Sequence, residues 1–250
     1  FEVITRILRQ KEAREHEWIL YTKSSKIQDS GFKIQSNTKI IKIPLRYLWT
    51  QAGLAARTWI DKLDVLWVPA HTLPILRKPG IKTVVTIHGI EYEWLPAYEN
   101  RLQRWYLPLS TIYAVKQADR VIAVSEFTKR QLIERLRADG KKIRVVLEGY
   151  EPQILNPKSQ ITNKLQILNK YKITSKQYLL FVGTVQPRKN LERLVEAFAR
   201  VGDKLKLVIA GKLGWGYESV FEAISKYKLT DRVVMTGYVS DQERKVLLDG

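Results

Sequence analysis

Short apolar segments alternate with amphipathic segments of helical period along this 250-residue chain. The alternation predicts parallel β-sheets with helices on both faces, because parallel strands are joined by crossover helices that cover the sheet. Residues 2–10 have the pattern of a helix whose preceding strand is missing. In residues 1–150 the predicted strands are 17–21, 39–43, 65–68, 82–87, 120–124 and 143–147, and the predicted helices are about 50–62, 102–117 and 126–137.

A break in this pattern divides the chain in two. From Gly149 to about Thr162 the sequence contains Gly-Tyr-Glu-Pro and Asn-Pro, which favour turns and extended backbone. We therefore predict a first domain at 1–149, a linker at 150–162 and an incomplete, doubly wound second domain at 163–250. Its predicted strands are 178–182, 206–210 and 232–235, its predicted helices are about 164–171, 191–201 and 218–228, and a last helix follows the capping box Ser240-Asp-Gln-Glu243.

The two ends of the sequence lead us to expect a fragment of a longer protein. The one methionine is Met235, and the chain opens at Phe1. The last helix is cut within a few turns of its capping box. We expect the first strand of the first domain and the end of the second domain to be missing.

The excess of basic over acidic residues indicates an anionic partner or surface. The formal net charge is +18, with 26 basic and 15 acidic residues in 1–150 and 17 and 10 in 151–250. Charge alone does not decide whether the basic residues bind nucleic acid, bind an anionic membrane or only keep the protein soluble. The absence of cysteine excludes disulfides and thiolate metal sites and suits a cytoplasmic protein. No apolar run approaches the length of a membrane span.

The segment Phe181-Val-Gly-Thr-Val-Gln-Pro-Arg-Lys-Asn-Leu191 predicts an anion site. A buried strand leads through Gly183 into a loop that carries Arg188 and Lys189, and we predict that Asn190 is the N-cap of the following helix. The amides of such a helix start attract a phosphate, and the two cations would add charge-assisted hydrogen bonds. A solvated basic loop is the alternative.

Polar or small residues also follow other predicted strands, where ligands bind in open parallel sheets. His88 follows the strand 82–87, and Ser125 follows the strand 120–124. A glycine-rich turn from Gly211 to Tyr217 follows the strand 206–210. Ser125 is also placed as a helix N-cap, and the glycines as turn or packing residues.

Taken in order, these stretches resemble glycosyltransferase family 4, with the GT-B fold, and in particular bacterial mannosyltransferases of surface polysaccharide synthesis. The matching stretches are Thr86-Ile-His-Gly89, Ala118-Asp-Arg-Val-Ile-Ala-Val-Ser-Glu-Phe-Thr128, Ile143-Arg-Val-Val146, the segment 181–190, Val208-Ile-Ala-Gly-Lys212 with Gly214-Trp215, and Gly237-Tyr-Val-Ser-Asp241. The resemblance implies two Rossmann-like domains, the first on the acceptor side and the second holding a nucleotide sugar.

The resemblance also implies roles for single residues. Lys189 would bind the donor diphosphate together with Gly183 and Asn190. The arginine that usually follows the glycine is replaced by Thr184, so Arg188 is the candidate for the second cation. His88 would be the catalytic residue. The nucleotide and sugar are expected near Thr184, Gly211, Lys212, Gly214, Tyr238 and Val239, and the acceptor near Ser125 and Glu91.

The motifs that the sequence lacks exclude several classes of binding site. The sequence has no Asp-x-Asp, which GT-A enzymes use to hold a divalent metal, and no zinc-type spacing of histidines. It also lacks a G-x-G-x-x-G after a strand and a Walker A motif. We expect no metal and no cofactor other than the donor substrate. The family's glutamate pair and its N-terminal glycine-rich loop are not in this stretch, so we expect the fragment alone to be inactive.

The combined expectation is a retaining hexosyltransferase that moves mannose from GDP-mannose to a lipid-linked or polysaccharide acceptor. We expect it in the cytoplasm, with peripheral contact to the anionic inner face of the membrane and no specific nucleic acid partner. The alternatives are the same fold with a UDP-sugar donor, a basic nucleic-acid-binding α/β protein, and a noncatalytic sugar-binding remnant.

Overall fold

The computed structural model describes residues 2–23, 36–90, 92, 101–149 and 160–250. The chain forms two compact units, Phe1–Tyr150 and Glu151–Gly250, and each is described by itself. Residues 150–159 of the predicted linker at 150–162 lie outside the described residues. The domain boundaries therefore stay a prediction.

The first unit contains two parallel sheets. β1 (Trp18–Thr22) pairs with β2 (Thr38–Lys42), and β3 (Val65–Val68), β4 (Lys82–Ile87), β5 (Arg120–Ala123) and β6 (Ile143–Val145) form a four-stranded sheet in that order. Its helices are α1 (Glu2–Leu8), α2 (Ala55–Ile60), α3 (Arg101–Gln117) and α4 (Glu126–Leu136). The core lies between the larger sheet and its helices, with Val85, Ile87, Val121, Ala114 and Leu132 fully buried.

The second unit has helices on both faces of one parallel sheet. Its elements are α5 (Gln160–Lys170), β7 (Tyr178–Val182), α6 (Leu191–Phe198), β8 (Lys206–Ala210), α7 (Glu218–Lys226), β9 (Val233–Gly237) and α8 (Asp241–Asp249), with strand order β7-β8-β9. Side chains alternate along β8, as a strand requires. Leu207 and Ile209 pack against residues of α6 and α7, whereas Val208 and Ala210 pack against residues of α5 and α8. The predicted doubly wound, parallel α/β arrangement is confirmed.

One predicted helix differs in kind. The segment predicted as helix 50–62 begins as a π-helical turn, Trp49–Leu54, and becomes α2 only at Ala55. The backbone N–H groups of Ala52 and Gly53 both donate to the carbonyl of Leu48, which widens the turn. Gly53 lies directly against Ile43, so a larger residue would not fit there.

The Ala118-Asp119 stretch has a structural role at the start of β5. The Asp119 carboxylate accepts hydrogen bonds from the backbone N–H and the hydroxyl of Thr83 at 2.9 and 2.8 Å, and the N–H of Asp119 donates to the same hydroxyl at 3.1 Å. These bonds from Thr83, with a weaker one from Lys82, lower the pKa of Asp119. They fix the register of β4 against β5, since Thr83 is fully buried.

The predicted capping box at the start of α8 is confirmed. The N–H of Glu243 donates to the Ser240 hydroxyl, and the N–H of Ser240 donates to the Glu243 carboxylate at 2.8 Å. The same carboxylate accepts from the Lys170 ammonium at 2.6 Å and from the Tyr171 hydroxyl at 2.9 Å. These hydrogen bonds, that of Lys170 foremost, lower the pKa of Glu243 from 4.5 to about 2 and tie α8 to α5.

This cluster predicts an acid-dependent stability. A carboxyl group whose pKa is lowered by folding stabilises the fold above its unfolded value and loses that contribution as pH falls towards its folded value. Glu243→Gln should therefore lower the free energy of unfolding by about 2 kcal/mol at pH 7. The difference from wild type should shrink between pH 4.5 and about 2. Urea denaturation at several pH values measures it.

The matched control is Glu222→Gln, which alters an exposed carboxylate on α7. It should leave the free energy of unfolding within about 0.5 kcal/mol of wild type. A Glu243→Gln variant whose loss of stability is the same at pH 7 and pH 2.5 would contradict the assignment.

Candidate functional site

Each of the neighbouring strands β7, β8 and β9 has a glycine at its carboxyl end. The N–H of Gly183 donates to the carbonyl of Ala210 at 2.9 Å, and the N–H of Gly211 donates to the carbonyl of Gly237 at 2.8 Å. A Cβ atom on Gly211 would overlap the carbonyl oxygen of Gly183. The close approach for which Gly211 is needed is therefore an approach of one strand end to the next.

The loop after β7 is bonded to the glycine-rich turn after β8. The N–H of Val185 donates to the carbonyl of Lys212 at 2.9 Å, and the N–H of Gly214 donates to the carbonyl of Val185 at 2.8 Å. Val185 is fully buried. A side chain on Gly214 would lie 2.9 Å from Thr184 Cγ2, and one on Gly216, where φ is +63°, would lie 2.9 Å from the Pro187 ring. The two segments form one packed platform, called here the loop platform, residues 183–190 and 211–217.

Asn190 lies at the predicted N-cap position of α6, but its side chain does not cap the helix. Pro187–Lys189 form a 3-10 turn, and the N–H groups of Lys189 and Asn190 donate to the carbonyls of Gln186 and Pro187, both at 2.9 Å. Asn190 then adopts a left-handed conformation, φ +54°, and its side chain makes no capping hydrogen bond. Asparagine tolerates this conformation better than most residues. The amides of Lys189 and Asn190 are therefore occupied within the turn.

The cations of the loop platform lie at its exposed surface. Arg188 and Lys189 are both exposed on the 3-10 turn. The stem of Lys189 passes beside Gly183, with Cε 3.9 Å from the position that a Cβ atom would take there. A Cβ atom at 183 would meet the Phe181 ring first, 3.2 Å from Cζ.

Lys212 and Tyr238 add a second charged element to the same sheet edge. The Lys212 ammonium lies 5.0 Å from the centroid of the Tyr238 ring, within the range of a cation–π contact, and Tyr238 is 70% exposed. Val239 next to it is buried in the core. A ligand could meet Val239 only through its backbone. The structure thus brings together the predicted residues Gly183, Thr184, Lys189, Gly211, Lys212, Gly214 and Tyr238.

His88 follows β4 at the carboxyl edge of the larger sheet in the first unit. Its Nδ1 lies 3.2 Å from a Glu148 carboxylate oxygen, and its Nε2 lies 3.3 Å from the carbonyl oxygen of Pro69. Both neighbours only accept hydrogen bonds, so the imidazolium form, with a hydrogen on each nitrogen, is the one that donates to both. The side chain is half exposed and can reach a ligand.

Sequence reasoning missed Glu148, Pro69 and His71, whose ring centroid is 6.1 Å from that of His88. A signal was present, because Pro69 and His71 follow β3 and Glu148 follows the strand predicted at 143–147. The rule that ligands bind at carboxyl ends of parallel strands points to them as it does to His88.

The two acceptor-side candidates differ in outcome. Ser125 is the N-cap of α4, because its hydroxyl accepts from the N–H of Thr128 at 3.0 Å and contacts the Thr128 hydroxyl at 3.0 Å. Its polar atom is therefore committed to the helix. Glu91 lies outside the described residues. Across the described part of the chain, no group of three His, Asp or Glu side chains is arranged to hold a metal ion.

Two family models match the chain in sequence. The model described as Glycosyltransferase Family 4 matches residues 2–153, and the model described as Glycosyl transferases group 1 matches residues 163–249. The chain is 23% identical over 166 residues to the O-antigen chain mannosyltransferase B of Escherichia coli, a match covering 65% of this chain and 43% of that protein. The matched region is less than half the length of this curated relative.

Solved structures resemble the chain over nearly its whole length. HepE from Anabaena, in complex with UDP and glucose, matches with a TM-score of 0.65 and 14% identity over 97% of this chain and 67% of that one. WaaG, a glycosyltransferase involved in lipopolysaccharide biosynthesis, has a TM-score of 0.65 and 15% identity over 97% and 68%. Sucrose-phosphate synthase from Thermosynechococcus elongatus has a TM-score of 0.66 and 16% identity over 98% and 66%. These likenesses confirm the predicted GT-B fold class.

Proposed function

The chain belongs to glycosyltransferase family 4, and from this membership we propose that the whole protein is a retaining, metal-independent hexosyltransferase. Its proposed reaction transfers mannose from GDP-mannose to a lipid-linked or polysaccharide acceptor. The second unit would bind the donor, and the first unit would bind the acceptor. The assignment applies to the whole protein, since this chain spans only part of its relatives.

The observation that carries the proposal is the loop platform with its exposed cations. Cleavage of the bond between sugar and diphosphate leaves negative charge on the diphosphate. Lys189, whose stem lies beside Gly183, and Arg188 on the same 3-10 turn would stabilise that charge as it develops. Thr184, where the family usually has arginine, packs against Gly214, which leaves the second positive charge to Arg188.

His88 is the proposed catalytic residue of the first unit. Glu148 and the Pro69 carbonyl hold its ring by both nitrogens. In the imidazolium form it would place a positive charge beside the transferred sugar. The pairing with Glu148 would keep the ring in one orientation, so Glu148 is a positioning residue in this proposal.

The donor has two candidates. The name of the E. coli relative supports a mannosyl donor for that protein and, by similarity, GDP-mannose here. The HepE structure contains UDP and glucose, which favours a UDP-sugar as second candidate. Tyr238 and the backbone of Val239, beside Lys212, are the proposed neighbours of the base.

The names of two relatives support the proposed acceptor. The E. coli relative is named for the O-antigen chain, and WaaG for lipopolysaccharide biosynthesis. Both names favour a lipid-linked or polysaccharide acceptor, and we propose cytoplasmic placement with peripheral contact to an anionic membrane. Within the described residues, no helix is both long and apolar enough to cross a bilayer.

Nucleotide binding tests the proposal in the full-length protein. A ligand at 100 times its Kd stabilises the folded state by about 2.7 kcal/mol, which corresponds to a rise in Tm of several degrees. We expect GDP to raise Tm more than UDP does at equal concentration, with no added metal. Differential scanning calorimetry measures both.

The nucleotide that gives the larger rise in Tm decides between the two candidate donors. A larger shift with UDP would replace GDP-mannose by a UDP-sugar while keeping the fold and the site. No shift with either nucleotide, at concentrations up to several millimolar, would contradict the assignment of the loop platform to the donor.

A further inference from the structure

Two threonine hydroxyls meet near His88 in the first unit. Thr72 lies in the segment that follows β3, and its hydroxyl oxygen is 3.4 Å from that of Thr50 on the π-helical turn. The residue before Thr72 is His71, whose ring lies beside that of His88. Both threonines are half-buried. They are called here the threonine pair, and they lie at the carboxyl edge of the larger sheet, where parallel sheets bind ligands.

The threonine pair retains the capacity to bind a further polar group. A hydroxyl has one hydrogen to donate and two lone pairs that accept. Only one of the two hydroxyls can donate across the contact between Thr50 and Thr72, and within the described part of the chain neither has a second hydrogen-bond partner. One hydroxyl hydrogen and lone pairs on both oxygens are therefore left for a bound molecule.

Gln51 fixes the position of the threonine pair. Its amide oxygen accepts from the N–H of Ile75 at 3.0 Å, and its amide nitrogen donates to the carbonyl of Leu73 at 3.2 Å. Leu73 is fully buried, so the turn that carries Thr50 is anchored to the segment that carries Thr72. Groups that are held before a ligand arrives lose little conformational entropy when they bind it.

The π-helical turn departs from regular structure in three ways. Such turns are rare and occur frequently at functional sites. Leu48, in front of the turn, has a left-handed φ of +53°, which is costly for a bulky residue. The indole N–H of Trp49 is buried and has no hydrogen-bond partner among the described residues, whereas buried polar groups normally have one. These costs, concentrated in one turn, indicate a role other than stability.

The segments that carry the threonine pair are neutral. Residues 47–54 and 69–73 contain no lysine, arginine, aspartate or glutamate, although the chain has a net charge of +18. Proteins bind phosphate and carboxylate groups chiefly through arginine and lysine. Threonine hydroxyls instead suit a ligand that presents hydroxyl groups of its own. The class of ligand indicated is an uncharged sugar ring.

We propose that the threonine pair binds an uncharged sugar at the reacting end of the acceptor. The inference deepens the proposed function and rests on it, since that function requires an acceptor in the first unit. It narrows the acceptor to a glycan, whether free or lipid-linked, whose sugar rather than lipid phosphate contacts Thr50 and Thr72. It also supplies the acceptor contacts that Ser125 cannot, because the Ser125 hydroxyl is committed to α4.

The test measures initial rates of the full-length protein with four uncharged acceptors, the octyl glycosides of mannose, glucose, galactose and N-acetylglucosamine. GDP-mannose is the donor, with UDP-glucose in parallel. We expect transfer to at least one glycoside. The variant Thr50→Val/Thr72→Val keeps the shape of both side chains but removes both hydroxyls. It should raise KM for the acceptor at least about 10-fold, and KM for the donor should stay within about twofold of wild type.

Two control variants separate lost hydroxyls from general damage. Thr50→Ser/Thr72→Ser keeps both hydroxyls and should recover most of the acceptor affinity. Thr174→Val/Thr230→Val makes the same chemical change at two exposed threonines of the second unit and should leave KM for the acceptor within about twofold of wild type. Circular dichroism and Tm verify folding of every variant.

Three results would overturn the inference: no transfer to any glycoside by a wild type that shows the nucleotide Tm shift, an unchanged acceptor KM in the double valine variant, or equal rises in acceptor and donor KM. An absent nucleotide shift contradicts the donor assignment instead. Saturation-transfer NMR with the methyl glycosides then tests the threonine pair without a donor. A signal that the double valine variant loses supports the pair, and a signal that it retains contradicts it.

Discussion

Replacing Lys189 by alanine in the full-length protein is expected to lower kcat about a hundredfold. The stem of Lys189 passes beside Gly183 at the end of β7, and the proposed leaving group would develop its charge near the ammonium group that this stem carries. Loss of a preorganised cation from that position removes stabilisation that is stronger in the transition state than in the ground state. Initial rates with radiolabelled GDP-mannose, and in parallel with a UDP-hexose, measure the effect.

Two further variants make the Lys189 result specific. Lys204→Ala removes an exposed lysine that precedes β8, at the opposite edge of the same sheet, and should leave kcat within about twofold of wild type. Lys189→Arg keeps the charge and should recover part of the rate. Turnover of Lys189→Ala equal to that of Lys204→Ala would remove Lys189 from the site.

Gly211→Ala is expected to lower the free energy of unfolding by about 3 kcal/mol or more. The added Cβ would overlap the carbonyl oxygen of Gly183, and this neighbour is backbone that cannot rotate away. The ends of β7 and β8 would have to separate, which breaks the bond from Gly183 to Ala210 and moves the stem of Lys189. Urea denaturation of the full-length protein, followed by the nucleotide-induced Tm shift, measures both consequences.

Gly202→Ala is the matched control for this substitution. No heavy atom lies within 4 Å of the position that its Cβ would take, so the change should stay within about 0.5 kcal/mol. If Gly211→Ala were as stable as Gly202→Ala, the close approach of the two strand ends would not be a constraint of the fold.

The strands that the sequence predicts with correct bounds share a common pattern. β3 and β7 are continuous apolar runs, β8 is one after its initial lysine, and β4 combines valine and isoleucine with threonine; the observed bounds of all four are the predicted ones. β9 was predicted to end at Met235 but continues to Gly237, because a register shift at Ile209 and Ala210 pairs Ala210 with Gly237. That shift depends on a neighbouring strand, and no local pattern contains it.

In the candidate site too, the local sequence predicts some residues and contacts, while others depend on residues distant in the sequence. Arg188, Lys189 and His88 are found from their places after strands. Asn190 was assigned from its position before a helix, but the proline-led 3-10 turn in front of it sets its conformation. Glu148 contacts His88 across 60 residues, and the partners of Gly211 and Gly214 are in another loop. Contacts of this kind become visible only when the strands are assembled.

The bonding between the two segments of the loop platform has a kinetic consequence. Val185 is buried and its N–H and carbonyl are both bonded to the glycine-rich turn, so the backbone below the cations is held before any ligand arrives. A diphosphate would meet a surface already in its bound shape, with little conformational entropy left to lose. Its association should therefore be a single step whose observed rate rises linearly with nucleotide concentration, without the plateau of a loop that must first close.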